Sequence, residues 1–179
     1  MNTTQVILVD ENDNSIGASE KMEAHIGGIL HRAFSIFIFN NKGEMLLQQR
    51  SLNKYHSAGL WTNACCSHPF PGEQTSDAAL RRLDEELGFE TAIEKIFDFV
   101  YKANFDNGLI EHEFDHVFVG EYNGVIDFNK GEVMNICYKS IPEIRLSLQT
   151  NPGKYTAWFH IAFSKIEEWW NRKYNDKVA

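Results

Sequence analysis

The sequence between Arg32 and Arg50 has the pattern of a β-hairpin, and this pattern limits the possible folds of the chain more than any other feature. RAFSIFIFN, at 32–40, is rich in aromatic and β-branched residues and predicts a strand. NKG, at 41–43, is a turn signal, and EMLLQQR, at 44–50, predicts the returning strand. The sequence therefore predicts a sheet that contains at least one antiparallel hairpin.

Three further regions predict strands. QVILVD (5–10) is followed by the turn ENDNS and by SIGASEKM (15–22), which we expect to be its hairpin partner. IEKIFDFVYKANF (93–105) and IEHEFDHVFVGEY (110–122) predict an antiparallel pair that turns at DNG, and EVMNICYKS (132–140) predicts another strand. Strands in hairpins with only a few helices predict an α+β fold, with a mixed β-sheet sandwiched by those helices, in one domain of residues 1–179.

Helical signals are clearest between Ser76 and Leu87. Ser76 is a candidate N-cap, Asp77 suits the first turn, and Gly88 stands where a left-handed C-terminal cap belongs. IPEIRLSLQ (141–149) predicts a short helix, and TAWFHIAFSKIEEWWNRKY (156–174) predicts a long helix with an aromatic face.

The composition limits the class of ligand. The formal net charge of −8 argues against a general nucleic-acid or membrane-surface binder, but it permits a local basic pocket. No window approaches the roughly 20 apolar residues of a membrane span, and the N-terminal residues lack the pattern of a signal peptide. The three cysteines are too few and too badly spaced for a disulfide framework, so we expect a reducing, cytoplasmic setting.

The stretch WTNACCSHP, at 61–69, concentrates reactive side chains. Two adjacent cysteines and His68 permit a metal site, a nucleophile or a packed corner of the core. Elsewhere, His25 and His31 flank a glycine-containing loop, IGGIL. Any one histidine, taken singly, is more often structural or superficial than a ligand.

Two carboxylates on one predicted strand add to this set. Glu111 and Glu113 are two residues apart, so both project from the same face of the strand. Asp115 continues the alternation, which is also typical of a solvated strand face. Three imidazoles and two carboxylates exceed the four ligands of a structural zinc site, and they suit Mn²⁺, Mg²⁺ or a zinc ion of higher coordination number.

The predicted helix at 76–87 resembles the Nudix box. The matching residues are Glu73, Arg81, Leu83, Glu85, Glu86, Gly88 and Phe89. Ser67 stands where the box has its first glycine, and Arg82 replaces the first glutamate of the REUXEE core. A guanidinium in place of a carboxylate weakens metal-assisted hydrolysis and improves direct anion binding. The box therefore indicates a protein with a Nudix fold and a function other than that of a Nudix hydrolase.

Nearly the whole chain is similar to the type I isopentenyl-diphosphate isomerases. The matching segments are EKMEAH, LHRAFSIFIFN, QQR, LWTNACCSHP, RRLDEELG and EHE, together with Tyr101 and the region of Trp158. TN-x-x-C-x-HP followed by RR-x-x-x-ELG is a specific combination. The resemblance implies a Nudix-like fold and the conversion of isopentenyl diphosphate to dimethylallyl diphosphate, with one proton added and one removed across a carbocation-like intermediate.

The resemblance also implies roles for individual residues. Cys66 and Glu113 would transfer protons, Tyr101 would hydrogen-bond the catalytic carboxyl group, and Trp158 would cover the cation. Cys65 and Cys137 are then expected in the core, and the turn between Cys66 and His68 would set the separation of these two side chains. The residues expected to bind the diphosphate are Lys21, Arg50, Lys54 and Arg82.

Two metal positions follow from the same resemblance. The ligands expected at the first, which would hold Mn²⁺, Mg²⁺ or Zn²⁺, are His25, His31, His68, Glu111 and Glu113. Glu86 would hold a Mg²⁺ ion that bridges to the diphosphate. The remaining histidines are expected to be surface or structural residues: His56, His112, His116 and His160.

Two other functions stay open at this stage. A Nudix hydrolase would cleave the diphosphate, although Arg82 and the Cys-x-His and Glu-x-Glu patterns argue against it. A non-catalytic protein that binds a metal or a ligand could keep the same fold. We expect a small-molecule diphosphate as the partner, no nucleic-acid or membrane partner, and a monomer or weak dimer.

Overall fold

The structure, a computed structural model, describes residues 4–175, so the predicted domain of residues 1–179 extends beyond the described residues at both ends. The strands in this range are β1 (Gln5–Val9), β2 (Ser15–Glu20), β3 (His31–Phe39), β4 (Met45–Arg50), β5 (Trp61–Thr62), β6 (Cys65–Ser67), β7 (Ile93–Asn104), β8 (Ile110–Glu121) and β9 (Val133–Lys139). The helices are α1 (Lys21–Gly27), α2 (Thr75–Leu87), α3 (Ile141–Thr150) and α4 (Ala157–Asn175), with a 3₁₀ turn at Pro152–Lys154.

The strands form a mixed sheet with β3 at its centre. β3 pairs in parallel with β8, from His31 opposite Glu113 to Phe39 opposite Glu121. It pairs antiparallel with β1, β4 and β6, while β4 continues to β5 and β9. The predicted hairpins β1–β2, β3–β4 and β7–β8 are all present. The predicted α+β fold with a mixed sheet is therefore confirmed.

Alternation along β3 divides the core into two layers. Phe37 and Phe39 point to one face of the sheet, where α4 contributes Phe159, Phe163 and Ile166. Ile36 and Ile38 point to the opposite face, where α2 contributes Leu83 and Leu87. Residues that alternate along a strand project to opposite faces, so the apolar run of β3 is covered on both sides. The helices sandwich the sheet as predicted.

Helix α1 was not predicted, and part of it was assigned to the strand SIGASEKM. The strand ends at Glu20, whose side chain caps the helix by accepting a hydrogen bond from the Glu23 backbone N–H at 3.1 Å. Gly28 ends the helix in the left-handed region, with φ of 58°. Seven residues are too few to show a clear helical period in the sequence, so only these cap residues marked it.

Helix α2 begins one residue earlier than predicted. Gln74 is the N-cap and makes no side-chain capping hydrogen bond, so the prediction of Ser76 as the cap is wrong. The prediction for Gly88 is confirmed, because it has φ of 70° and donates its N–H to the Asp84 carbonyl at 2.8 Å. Helix α3 carries a complete capping box between Ser140 and Glu143. Among the described residues, no helix is both long and apolar enough to cross a membrane.

Candidate active site

The site lies where α1 and the neighbouring ends of β3, β6 and β8 meet. His31 is the first residue of β3 and lies opposite Glu113 of β8 in the parallel ladder. His25 comes from the last turn of α1, and His68 directly follows β6. Strand β6 pairs with β3, with Cys66 opposite Ser35, and this pairing brings Cys66 and His68 to the same cavity.

Four of the five residues predicted for the first metal position converge. His25, His31, His68 and Glu113 each present a ligand atom, and these atoms all lie within 4.8 Å of one another. His68 Nε2 lies 2.9 Å from Glu113 Oε1, and His31 Nε2 lies 3.6 Å from the same oxygen. This donor set of imidazoles and a carboxylate can hold a divalent metal ion.

The histidine rings are oriented as metal ligands usually are. His25 Nδ1 lies 2.7 Å from the Lys21 carbonyl, and His31 Nδ1 lies 2.7 Å from the Ile29 carbonyl. Each Nδ1 then carries the hydrogen, so each Nε2 presents a lone pair to the site. Both Nε2 atoms are buried without a hydrogen-bond partner among the described residues. Such orphaned nitrogens fit a metal ion that is bound there.

The charges of the group are those of a metal site. Burial lowers the pKa of His68 to about 3, and it also lowers the pKa of His25, so both rings are neutral near pH 7. Burial alone raises the pKa of Glu113, but the His31 and His68 rings beside it outweigh burial and hold this pKa well below its usual range. Neutral imidazoles and an ionised carboxylate are the protonation states that bind metal ions.

Glu111, the fifth predicted ligand, lies beside the first group rather than within it. It forms a second group with His25 and His56, again with ligand atoms within 4.8 Å of one another. Tyr101 joins the two carboxylates by donating to Glu113 Oε2 at 2.6 Å and to Glu111 Oε2 at 3.1 Å. Both glutamates are buried, so the alternative of a solvated strand face is wrong.

His56 was predicted to be a surface or structural residue, but it lines the cavity. Its ring is buried, and its Nε2 lies 3.3 Å from Glu111 Oε1. Phe105 stacks on the ring with centroids 4.8 Å apart, and Arg50 donates to the His56 carbonyl at 3.2 Å. The loop that carries His56 has no strand or helix period, so its burial left no signal in the sequence. His112, His116 and His160 do not line this cavity.

The adjacent cysteines face opposite sides of the sheet. Cys65 is fully buried in the α2 layer, as predicted, whereas Cys66 packs against the α4 layer and lines the cavity. Cys137 is only partly buried, against the α4 layer. The predicted turn between Cys66 and His68 is wrong, because Cys66 and Ser67 lie in strand β6.

Acceptors surround the Cys66 sulfur. Its thiol donates to Asn63 Oδ1 at 3.1 Å, and Ser35 Oγ lies 3.4 Å away. Ser35 in turn donates to Asp115 Oδ2 at 2.7 Å. Burial raises the pKa of the Cys66 thiol, and the Asp115 charge raises it further. The sulfur therefore carries its hydrogen near pH 7.

Trp158 forms a wall of the same cavity from the first turn of α4. Its indole is buried, and the guanidinium carbon of Arg50 lies 5.1 Å from the ring centroid. The indole face is thus already used by a cation in this structure.

The cavity holds all four residues predicted to bind a diphosphate. Lys21, Arg50, Lys54 and Arg82 line it together with Glu86. Arg82 pairs with Glu86, one turn further along α2, and donates to Glu85 at 2.7 Å. Gln48 holds the other Glu86 oxygen at 3.0 Å.

Glu132 is a second residue that the sequence did not reveal. Its carboxylate pairs with Lys54 and lies 3.5 Å from Arg82 Nη2. Arg81, by contrast, makes two hydrogen bonds to Glu73, at 2.8 and 2.9 Å, and braces the entrance to α2. Both arginines of the box also contact Glu85, whereas Glu73 pairs with Arg81 and Glu86 pairs with Arg82.

Comparisons with known proteins agree with this architecture. The NUDIX domain family matches residues 29–159. A structure described as DR0079 from Deinococcus radiodurans has a TM-score of 0.67 at 16% identity, covering 82% of this chain and 90% of that one. The MutT protein from Methanosarcina mazei Go1 has a TM-score of 0.61 at 22% identity, covering 78% and 94%. At these identities the likeness concerns the fold alone.

Curated relatives are much closer in sequence. Isopentenyl-diphosphate Delta-isomerase from Pectobacterium atrosepticum is 49% identical over 170 residues, covering 95% of both chains. The protein of the same name from Burkholderia multivorans is 49% identical over 156 residues, covering 87% of this chain and 89% of the relative. The chain therefore belongs to the NUDIX domain family and, within it, to the isopentenyl-diphosphate Delta-isomerases.

Proposed function

We propose that this protein interconverts isopentenyl diphosphate and dimethylallyl diphosphate. The observation that carries the proposal is that a thiol, Cys66, and a carboxylate, Glu113, line one cavity with the Trp158 indole and four cations. The reaction needs these parts: two groups that move protons, a face that stabilises positive charge, and an anchor for the diphosphate. The carbon skeleton and the diphosphate are unchanged, so no redox partner is required.

The diphosphate end of the substrate would bind at the cations. Lys21 is half-buried, and desolvation lowers the pKa of its ammonium group, so an anion beside it relieves an unfavourable environment. In this structure Glu132 pairs with Lys54 and Glu86 pairs with Arg82, and we propose that phosphate oxygens take up part of this charge on binding. Binding energy at this end would position the alkene without hydrolysis.

The alkene end would lie between Cys66 and Glu113. One group adds a proton to the terminal alkene carbon, and the other removes a proton from the allylic carbon. The burial that raises the Cys66 pKa keeps this sulfur protonated, and Tyr101 orients Glu113 through the 2.6 Å hydrogen bond. Both groups thus have a defined protonation state or orientation before the substrate arrives.

Positive charge that develops on the substrate would face Trp158. An indole face next to a desolvated cation contributes about 2 kcal/mol or more. Arg50 lies over this ring in the structure, so a cation already occupies the favourable position. We propose that Arg50 changes its contacts during the reaction, because the C5 cation competes for the indole face and the diphosphate attracts the guanidinium.

Two sets of residues would hold metal ions. His25, His31, His68 and Glu113, with Glu111 alongside, would hold Mn²⁺, Mg²⁺ or Zn²⁺. Glu86, which lines the same cavity, would hold Mg²⁺ beside the diphosphate. When bound, these ions supply positive charge that offsets the buried carboxylates and the phosphates.

Proton and phosphorus NMR test the proposal in one sample. Purified protein with Mg²⁺ and Mn²⁺ is incubated with isopentenyl diphosphate, and both spectra are followed. We expect signals of dimethylallyl diphosphate, with the two diphosphate resonances retained. Release of inorganic phosphate would indicate a hydrolase instead, and an unchanged spectrum with bound substrate would indicate a non-catalytic binder.

A further inference from the structure

Two buried residues, Thr62 and Asn63, connect the Cys66 thiol to the Trp158 indole. They are the TN of the WTNACCSHP stretch, and the proposed function assigns them no part. Thr62 is 1% exposed and Asn63 is 0% exposed, so neither side chain has access to water. Buried polar side chains of this kind are costly unless each of their hydrogen-bonding groups has a partner.

The Asn63 amide is fixed in one orientation. Its Nδ2 donates to the carbonyls of Ile36 and Cys65, both at 3.0 Å, so both amide hydrogens are used. The amide oxygen therefore points the other way, where it accepts from the Cys66 thiol at 3.1 Å and from the Thr62 hydroxyl at 2.8 Å. A flipped amide would lose all four hydrogen bonds.

The Thr62 hydroxyl is saturated. Its Oγ1 accepts from Trp158 Nε1 at 2.8 Å and from Thr156 Oγ1 at 3.1 Å, and it donates to Asn63. One donor and two acceptor positions are all that a hydroxyl has. The donors and acceptors are therefore fixed: the Trp158 indole donates to Thr62, Thr62 donates to the Asn63 amide oxygen, and the Cys66 thiol donates to that same oxygen.

We propose that Thr62 and Asn63 are positioning residues that hold the Cys66 sulfur and the Trp158 ring at a fixed separation for the isomerisation. The inference rests on the proposed function, because only that reaction needs a proton-transfer group and a cation-stabilising face in register. Thr62 and Asn63 come from the segment that includes β5 and precedes β6, whereas Trp158 begins α4. A hydrogen-bonded link across two elements supplies a directional constraint that apolar packing lacks.

Three single variants test the link by steady-state kinetics. Thr62→Val keeps the shape of the side chain but removes the hydroxyl, and we expect kcat to fall about 10- to 100-fold because small misplacements of reacting groups cost this much. Thr62→Ser restores the hydroxyl and should recover kcat to within about threefold of wild type, with KM little changed throughout.

Thr156→Val is the matched control. Thr156 is also fully buried, and its valine variant loses the same hydroxyl–hydroxyl bond, but Thr156 lies outside the path from the indole to the thiol. We expect its kcat to stay within about threefold of wild type, with a smaller loss of thermal stability than in Thr62→Val, which loses three hydrogen bonds. Equal losses of kcat in Thr62→Val and Thr156→Val, or a failure of Thr62→Ser to recover, would overturn the proposal.

A double variant separates positioning from folding. Trp158→Phe has no indole N–H, so the loss from Thr62→Val should be much smaller in that background than in wild type. Additive losses would contradict the link.

The alkylation rate of Cys66 gives a readout that needs no isomerase activity. The reference protein carries alanine at Cys65 and Cys137, so that Cys66 is its one remaining cysteine. In this background, iodoacetamide should modify Cys66 faster when Thr62→Val is added and at the reference rate when Thr156→Val is added. If wild type itself does not isomerise the substrate, the proposed function fails, and the link is then decided by this rate: no difference among the three proteins would refute it.

Discussion

At the scale of single residues, the placement of the two cysteines decides which thiol can react. Consecutive residues of β6 project to opposite faces of the sheet, so Cys65 enters the α2 layer while Cys66 reaches the cavity. The sequence motif identified Cys66 through its spacing from His68, and the strand explains why that spacing places both side chains at one cavity.

We expect Cys66→Ala to lower kcat by about 100-fold or more, because a group that transfers a proton contributes at least this much. Cys65→Ala is the matched control and should keep activity within about twofold, with a small loss of stability from the cavity it leaves. A coupled assay for dimethylallyl diphosphate measures both variants. Similar losses of activity in the two would contradict the assignment of Cys66.

His56 gives a prediction about pH. Burial lowers its pKa from the ordinary 6.5 to about 3, with Arg50 adding to the effect. Below about pH 6.5, His56 is protonated in the unfolded chain but stays neutral in the folded protein. The contribution of His56 to stability is therefore present above pH 6.5 and is lost toward pH 3.

We therefore expect the free energy of unfolding of metal-free wild type, minus that of His56→Phe, to decrease as the pH is lowered from 7.5 to 5, by at most about 1.4 kcal/mol per pH unit. Phenylalanine keeps the stacking on Phe105 and does not titrate in this range. Urea unfolding at several pH values measures the difference. A difference that grows on acidification would show that the folded protein favours the charged imidazole.

Side chains within the quoted motifs were predictable, and those in loops were not. The motifs around Cys66, Glu113 and Arg82 have fixed spacings, and the structure brings these three residues to one cavity. His56 lies in an irregular loop next to Ser57, whose φ of 50° is unusual for a residue other than glycine. Glu132 reaches Lys54 only through the tertiary fold. No local pattern marks either residue.

At the scale of elements, the C-terminal end of α2 packs against the segment that leads to Glu132. Gly88 has φ of 70°, and a Cβ atom built on it would lie 2.5 Å from the Asp127 carbonyl oxygen. The Asn129 backbone N–H donates to the Glu86 carbonyl at 2.9 Å, so the segment that leads to Glu132 packs directly on the helix end.

We expect Gly88→Ala to destabilise the protein by more than about 1 kcal/mol, from the left-handed backbone and from the clash together. Gly72→Ala is the matched control, since Gly72 has φ of 86° but nothing within 4 Å of a Cβ atom. Thermal unfolding compares the two. An equal loss of stability in both variants would mean that the contact with Asp127 does not contribute to it.

Long periodic elements could be read from the sequence, whereas short ones depend on distant partners. β7, β8 and α4 each span 12 residues or more, and all three were predicted. β5 and β6 have two and three residues, and they are strands only because β4 and β3 pair with them. Local propensity is too weak to predict strands of this length.

At the scale of the whole molecule, the sheet separates two apolar layers and gathers polar side chains at one place. Glu111, Glu113 and Asp115 are all buried there, beside imidazoles that burial keeps neutral. Burial and the Glu113 charge raise the pKa of Glu111 and Asp115 well above the usual range, so ionising all three groups is unfavourable unless a cation neutralises them. The site should therefore be the part of the fold that responds most to metal ions.

We expect removal of metal ions by a chelator to lower the Tm and to abolish isomerisation, and Mg²⁺ with Mn²⁺ or Zn²⁺ to restore both. An ion at 100 times its Kd adds about 2.7 kcal/mol to stability. Differential scanning calorimetry with metal analysis measures the response. His31→Ala should lose it, whereas His160→Ala, an exposed residue outside the cavity, should keep it. Full activity of the metal-free protein would exclude the metal ions from the reaction.

In the proposed reaction, Cys66 and Glu113 exchange protons with opposite ends of a three-carbon unit while the diphosphate stays intact. Proton NMR of isopentenyl diphosphate incubated with the enzyme in D₂O follows this exchange. We predict deuterium in a methyl group of the dimethylallyl diphosphate formed by wild type, and no incorporation with Cys66→Ala or Glu113→Gln. Product without solvent deuterium, or undiminished incorporation in either variant, would exclude these two residues as the proton-transfer groups.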